Sequence, residues 1–275
     1  MIVEKIDLYK YFKIKKPENA SGILTTYILA NCYEPRLRPA MLVIPGGGYS
    51  HVSARECECV ALKYMEKGFN AFTLSYSVKG KCDVCFPYQL IEGAMAMAYI
   101  KKNAKKLGVD RNHVAAIGFS AGGHLCGMLA TMFNAPEVKE ALKSNAKYVR
   151  PDAVVLSYPV ITSGEKAHKG SFINLSGGDE SLYQRLSLEN QVTEESSPAF
   201  IWSTMTDGAV PVENSFYMVM AYKSKGVPCE FHVFEKGGHG LSIATQESIW
   251  VSPAIQQWVP LSITWLENRG FKLKK

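Results

Sequence analysis

The sequence contains no uninterrupted stretch of about 18 apolar residues, so neither a transmembrane helix nor a membrane partner is expected. Its first residues, Met1-Ile2-Val3-Glu4-Lys5-Ile6-Asp7, show no long apolar core of the kind a secretory signal uses. Cysteine is scarce and odd in number, seven in 275 residues, which points to reduced thiols and a cytoplasmic home. Cys57-x-Cys59 and Cys82-x-x-Cys85 are close pairs, but neither has a second pair at zinc-ligand spacing, and no metal site is expected. A redox role for Cys82 and Cys85 would want them opening a helix, and Phe86-Pro87 follows at once. The net charge of +6 is spread along the chain, and its densest cluster is Lys101, Lys102, Lys105 and Lys106. No aromatic residues interleave that cluster as a single-strand groove would require, and cations suit a helix C-terminus, so no nucleic-acid partner is expected. Repeats and low-complexity blocks are absent too. With 47% hydrophobic and 20% charged residues, disorder is excluded as the default.

What is present is the grammar of an α/β protein. Residues 2–11 and 23–29 alternate in polarity and predict antiparallel strands joined through a turn region at 17–22. From residue 40, short apolar runs at 41–44, 71–76, 114–119, 153–157, 200–203 and 231–234 predict strands buried on both faces. Helical patterns at 55–67, 90–107, 121–133, 213–224 and 254–267 separate or follow them, with Pro253 suited to a first turn. The expectation is a single domain over 1–275: a mostly parallel central sheet, helices on both faces and an antiparallel N-terminal region. Its ligand crevice should lie at the C-terminal ends of the strands. Residues 161–195 are polar and glycine-containing and read as an insertion over that crevice.

The strongest local signal is Gly118-Phe119-Ser120-Ala121-Gly122, directly after one predicted strand and directly before a helix. A G-x-S-x-G turn in that setting holds a serine hydroxyl above the sheet edge, so Ser120 is the candidate nucleophile. A serine needs a base, and the base needs an acid to fix its tautomer. Asp207 follows the strand at 200–203, and His239 follows the strand at 231–234 inside Gly237-Gly238-His239-Gly240. The other carboxylates are worse placed: Asp110 and Asp152 precede strands, while Asp179 and Glu180 fall in the insertion. His113 and His232 lie within strands, His168 in the insertion, and His124 reads as a buried histidine bonded to a neighbouring loop. Pro45-Gly46-Gly47-Gly48-Tyr49 follows the strand at 41–44, and neither dinucleotide nor P-loop glycine spacing is present there. Backbone N–H groups of Gly47 and Gly48, with that of Ala121, are the candidate oxyanion hole.

These motifs, taken in order with Asp207-x-x-Val210-Pro211 and Gly238-His239-Gly240, resemble the esterase/lipase branch of the α/β hydrolases. The chain is similar to the hormone-sensitive-lipase-like and acetyl-xylan-esterase-like bacterial members from about residue 40 to 268. That resemblance implies the α/β-hydrolase fold and a serine esterase (EC 3.1.1 type) working without metal or organic cofactor. It also implies the same triad of Ser120, Asp207 and His239. Three departures stand out: Pro45 replaces the histidine of an HGGG motif, Thr206 replaces a second aspartate, and no long N-terminal helical cap is evident. The last favours a more open site and a small-molecule ester substrate with a short acyl group, such as acetyl on a carbohydrate. Tyr49, His51, Tyr76, Tyr158 and Met205 are candidates to line the pocket. A peptidase of this fold and a non-catalytic ligand-binding protein are the alternatives, and a homodimer is compatible with the sequence.

Overall fold

The structure, a computed structural model, describes residues 1–30, 36–80, 84–248 and 250–274. Cys82, half of one close cysteine pair, lies outside the described residues. Eight strands form one sheet: β1 (Ile2–Asp7), β2 (Ile23–Ile28), β3 (Arg38–Ile44), β4 (Asn70–Ser75), β5 (Val109–Phe119), β6 (Ala153–Ser157), β7 (Ala199–Thr204) and β8 (Cys229–Phe234). The spatial order is β1-β2-β4-β3-β5-β6-β7-β8. The β1–β2 and β2–β4 pairings are antiparallel, and every pairing from β4 to β8 is parallel. This is the expected α/β-hydrolase arrangement.

Strand periodicity sorts the core into two layers. Leu42, Ile44, Ala116, Leu156 and Ile201 pack on one face with Leu90, Leu125 and Leu129 from the helices Tyr88–Lys102 and Ala121–Thr131. Their neighbours Met41, Val43, Ile117, Val155 and Trp202 pack on the other with Val60, Tyr64, Trp258 and Trp265. The strands β3, β4, β6 and β7 are buried on both faces and read as continuous apolar runs. The run at 231–234, expected to be buried on both faces, is instead half-buried throughout, because β8 is an edge strand with a neighbour on one side only.

Several segments differ from the expectations, for physical reasons. The 2–11 strand stops at Asp7, because the Asp7 Oδ1 caps a short helix, Leu8–Phe12, by accepting the Lys10 N–H at 3.1 Å. Adjacent Leu8 and Tyr9 are both buried, which a helix allows and one face of a strand does not. The 254–267 helix is two, Pro253–Gln256 and Trp258–Glu267, and Pro260 sits in the first turn of the second, where no N–H is needed. Lys101 is no solvated helix-end cation: it is buried and pairs with Asp152 Oδ1 at 2.8 Å. The polar stretch 161–195 is folded, with helices Lys169–Ser176 and Tyr183–Leu186 that bury Phe172, Leu175 and Leu186.

Register positions the chemistry. Ile44 pairs with Gly118, Phe119 with Ser157, Ser157 with Trp202, and Thr204 with Phe234. The strands therefore end together, and the loops after β3, β5, β6, β7 and β8 share one edge. No helix among the described residues is long and apolar enough to cross a membrane.

Candidate active site

Ser120 stands between the end of β5 and the start of the helix Ala121–Thr131, with φ 54° and ψ −120°. An L-residue rarely adopts that backbone, and it turns the hydroxyl away from the sheet toward the crevice. The turn is tight enough to exclude any side chain at position 122. A Cβ on Gly122 would lie 2.2 Å from the Pro45 carbonyl oxygen and 2.3 Å from that of Ile44. Close approach of the glycine loop to the serine turn thus depends on Gly122, and on Gly46, where a Cβ would lie 2.7 Å from the Phe119 carbonyl oxygen. Ser120 itself is only 7% exposed.

The three candidate triad residues, separate in sequence, meet at the sheet edge. Ser120 Oγ is 2.7 Å from His239 Nε2, and His239 Nδ1 is 2.7 Å from Asp207 Oδ2. The second carboxylate oxygen of Asp207 accepts the N–H groups of Ala209 at 2.9 Å and Val210 at 3.0 Å. Those bonds hold the carboxylate flat against its own turn. A carboxylate at Nδ1 keeps the proton there and leaves Nε2 as the acceptor facing the serine. Thr206, next to Asp207, ties the acid loop to the histidine loop. Its hydroxyl donates to the Gly237 carbonyl at 3.0 Å and accepts the Gly237 N–H at 2.9 Å, while Thr204 Oγ1 donates to the same carbonyl at 2.8 Å. The acid loop and the histidine loop are thereby laced together.

The glycine loop lies beside the nucleophile. Gly47 has φ +121°, and a Cβ there would fall 2.0 Å from the His51 carbonyl oxygen, so the turn requires glycine. The Gly47 carbonyl accepts the N–H groups of Ser50 and His51, pointing that oxygen back into its own turn. Among the described residues, the N–H groups of Gly47, Gly48 and Ala121 bond to no protein acceptor, whereas the Gly46 N–H is held by Glu56 Oε2 at 2.8 Å. The helix behind Ala121 adds its positive end to the same region.

The expected pocket-lining residues divide. Tyr49, Tyr76 and Tyr158 are buried and support the site from behind. The Tyr49 hydroxyl bonds His124 Nδ1 at 2.9 Å, that of Tyr76 donates to the Pro45 carbonyl at 2.8 Å, and that of Tyr158 donates to Glu56 Oε1 at 2.8 Å. Strand-end aromatics were expected at the crevice, but their hydroxyls find buried partners, which draws the rings inward. His51 and Met205 are exposed, Met205 by 53%, and are free to meet a ligand. His124 is the buried loop-bonding histidine expected of it, with Nε2 2.7 Å from the Leu186 carbonyl in the 161–195 segment. Burial pushes its pKa down to about 4, so it is neutral at pH 7.

Of two further groups at the site, Glu56 was not singled out from the sequence and His168 was set aside as part of the insertion. Glu56 is a buried carboxylate bridging the glycine loop and Tyr158. His168 begins the helix Lys169–Ser176, with Nδ1 2.8 Å from Ser171 Oγ. Its pKa lies below the usual histidine value, from burial first and then from His239, while Asp207 opposes the shift. His168 therefore lies within electrostatic reach of the base. No local motif announces either residue.

Two recesses of about 490 Å³ and 560 Å³ lie elsewhere, the first around Arg38, Asn70 and Gly108, the second around Cys59, Leu62 and Ile243. The first sits at the strands' N-terminal ends, opposite the triad. Chemistry here follows the strand ends, not cavity size. No group of three or more His, Cys, Asp or Glu among the described residues is arranged to hold a metal.

The BD-FAE family model matches residues 27–221. The chain is 42% identical over 218 residues to the endo-1,4-beta-xylanase B of Butyrivibrio fibrisolvens, covering 76% of this chain and 33% of that protein. To the acetylxylan esterase of Xylanibacter ruminicola it is 31% identical over 214 residues, 75% of this chain and 42% of that protein. The chain thus spans between a third and a half of the length of these two relatives. A solved structure, the acetyl ester-xyloside bifunctional hydrolase from Caldicellulosiruptor lactoaceticus, superposes with a TM-score of 0.85 at 35% identity, covering 98% of this chain and 97% of that one.

Proposed function

The chain belongs to the BD-FAE family of α/β-hydrolase carboxylesterases, and from that premise we propose that it is a serine esterase removing short acyl groups, acetyl above all, from carbohydrate hydroxyls. The observation that carries the reading is the continuous hydrogen-bond line from Ser120 Oγ through His239 to Asp207, each step 2.7 Å. The carbohydrate part leans on the relatives, one an acetylxylan esterase and one an acetyl ester-xyloside hydrolase.

In this mechanism His239 Nε2 takes the Ser120 proton as Oγ attacks the ester carbonyl carbon. Asp207 keeps the imidazole oriented and stabilises its positive charge. The oxyanion rests on the N–H groups of Gly47, Gly48 and Ala121, which are fixed before the reaction and need not reorganise. His239 then returns the proton to the departing sugar alcohol. Water, activated by the same imidazole, attacks the acyl-enzyme and frees acetate and Ser120. Met205 and His51, exposed at the rim, are the side chains offered to the substrate. Residues 161–195 act as an insertion forming one wall of the crevice. A cytoplasmic setting accords with the unpaired Cys57, Cys59, Cys85, Cys126 and Cys229.

The test is hydrolysis of a p-nitrophenyl ester series, acetate through long-chain, by the wild type and Ser120→Ala, followed by acetate release from acetylated xylo-oligosaccharides. Activity should fall with acyl length and drop by at least about 10³-fold in the variant. Faster turnover of long chains would refute the short-acyl assignment, and activity surviving in Ser120→Ala would refute the nucleophile.

A further inference from the structure

Glu56 is 2% exposed and lies in the turn Ala54–Glu56, between the glycine loop and the helix Glu58–Glu66. A carboxylate survives burial only when its oxygens find donors. Here Oε2 accepts the Gly46 N–H and Oε1 accepts the Tyr158 O–H, both at 2.8 Å. The Tyr158 oxygen in turn accepts the Ser242 N–H at 2.8 Å, three residues beyond His239. Burial holds the Tyr158 hydroxyl far above the usual tyrosine range, so it keeps its proton and donates it to the carboxylate. Gly46, Glu56, Tyr158 and Ser242 form one polar chain. Its two ends are the loop of the oxyanion donors and the loop of the base.

The backbone adds a second, independent observation. Tyr158 has φ +36°, a conformation that a bulky L-residue avoids. It is held there by its N–H bond to the Trp202 carbonyl at 2.7 Å. Its ring meets the His239 imidazole edge-on at 5.0 Å and that of Trp202 at the same distance. Strain at a residue that touches the base marks a place where geometry has been kept against local preference.

We infer that Glu56 and Tyr158 are positioning residues that lock the oxyanion loop and the histidine loop into one register, making acyl transfer depend on a buried carboxylate outside the triad. The inference rests on the nucleophile and base assigned above. Fixing Gly46 aims the next two N–H groups, and fixing Ser242 and the ring edge holds His239 over Ser120. Displacements of about 1 Å in such parts can slow a reaction about 10²-fold.

Tyr158→Phe and Glu56→Gln, with the double variant, test the pair on p-nitrophenyl acetate and on fluorophosphonate labelling of Ser120. The phenylalanine keeps the ring against His239 and removes one oxygen; the glutamine keeps the shape and presents an N–H where a donor already points. Expected are losses in kcat of about tenfold for Tyr158→Phe and about a hundredfold for Glu56→Gln, with KM changed by less than about threefold and labelling slowed in parallel. Because the two act in one chain, the double variant should be no slower than Glu56→Gln. A folded Tyr158→Phe with kcat within about twofold of wild type, or losses carried by KM alone, would overturn the inference. Should Glu56→Gln fail to fold, Tyr158→Phe decides alone. Ser120→Ala run alongside separates the two levels: if it is dead while both variants match wild type, only the clasp is wrong. If it stays active, the esterase mechanism beneath is wrong.

Discussion

Asn174 reaches out of the helix Lys169–Ser176 to donate from Nδ2 to the Gly48 carbonyl at 2.9 Å. That bond ties the 161–195 segment to the glycine loop, which carries the proposed oxyanion donors. The segment also accepts from His124 through the Leu186 carbonyl, so it is anchored both to the glycine loop and to the helix that follows Ser120. The proposed crevice wall and the glycine loop are thus directly hydrogen-bonded to each other.

Asn174→Ala should therefore lower kcat/KM without unfolding the protein. One net hydrogen bond is about 1 kcal/mol, so a decrease of about fivefold is expected. Steady-state kinetics on p-nitrophenyl acetate, with a melting curve to confirm the fold, check this. An unchanged kcat/KM would mean that the Gly47 turn holds itself.

Asp207→Asn should leave the fold intact, since an asparagine oxygen can still accept the N–H groups of Ala209 and Val210. It cannot hold Nδ1–H with a negative charge, and its amide favours the wrong imidazole tautomer. A fall in kcat of about 10³- to 10⁴-fold is expected, with KM little altered. A loss below about tenfold would point to another acid for His239.

Much of this site was legible because two signals coincide in the sequence. Ser120, Asp207 and His239 each follow a run that reads as a strand, and parallel strands that end in register bring such positions to one edge, although the strand before His239 proves to be half-buried. Glu56 was illegible for the opposite reason. A lone carboxylate before a helix reads as surface, and its partner Tyr158 is 102 residues away. Tyr158 itself was read as a pocket aromatic because strand position gives the end of the sheet, whereas the direction of the ring depends on a buried hydroxyl partner. The helix Lys169–Ser176 was missed since its buried Phe172 and Leu175 are few and its polar flank resembles a loop.

Gly122→Ala should disable the protein in two ways. Its Cβ would meet backbone oxygens of Ile44 and Pro45, and backbone does not swing aside as a long side chain would. Overpacking of this kind costs up to about 3 kcal/mol, and any relief must come from moving the glycine loop off the serine turn. A lower urea midpoint together with loss of fluorophosphonate labelling is the expected pair of results. Normal labelling in a destabilised variant would show that the loop and the turn can part without harm to the donors.

The buried His124 gives a pH dependence whose sign can be worked out. Burial lowers its pKa from 6.5 to about 4, with the Leu186 carbonyl opposing the shift. Below pH 6.5 the unfolded chain binds a proton there that the folded protein refuses until about pH 4. Stability from this group is therefore fully present above pH 6.5 and drains away as pH falls toward 4. At about 1.4 kcal/mol per pH unit, the gap amounts to about 3 kcal/mol. His124→Gln cannot titrate, though it also weakens the bonds to the Tyr49 hydroxyl and the Leu186 carbonyl. It should be less stable than wild type at pH 7.5 and should close most of that deficit by pH 4.5, where the wild type alone carries the penalty. Urea unfolding of both proteins at the two pH values measures the difference, and other acid-titrating groups cancel in the comparison. A deficit that stays constant across the range would mean that His124 takes up its proton in the folded state as readily as in the unfolded one.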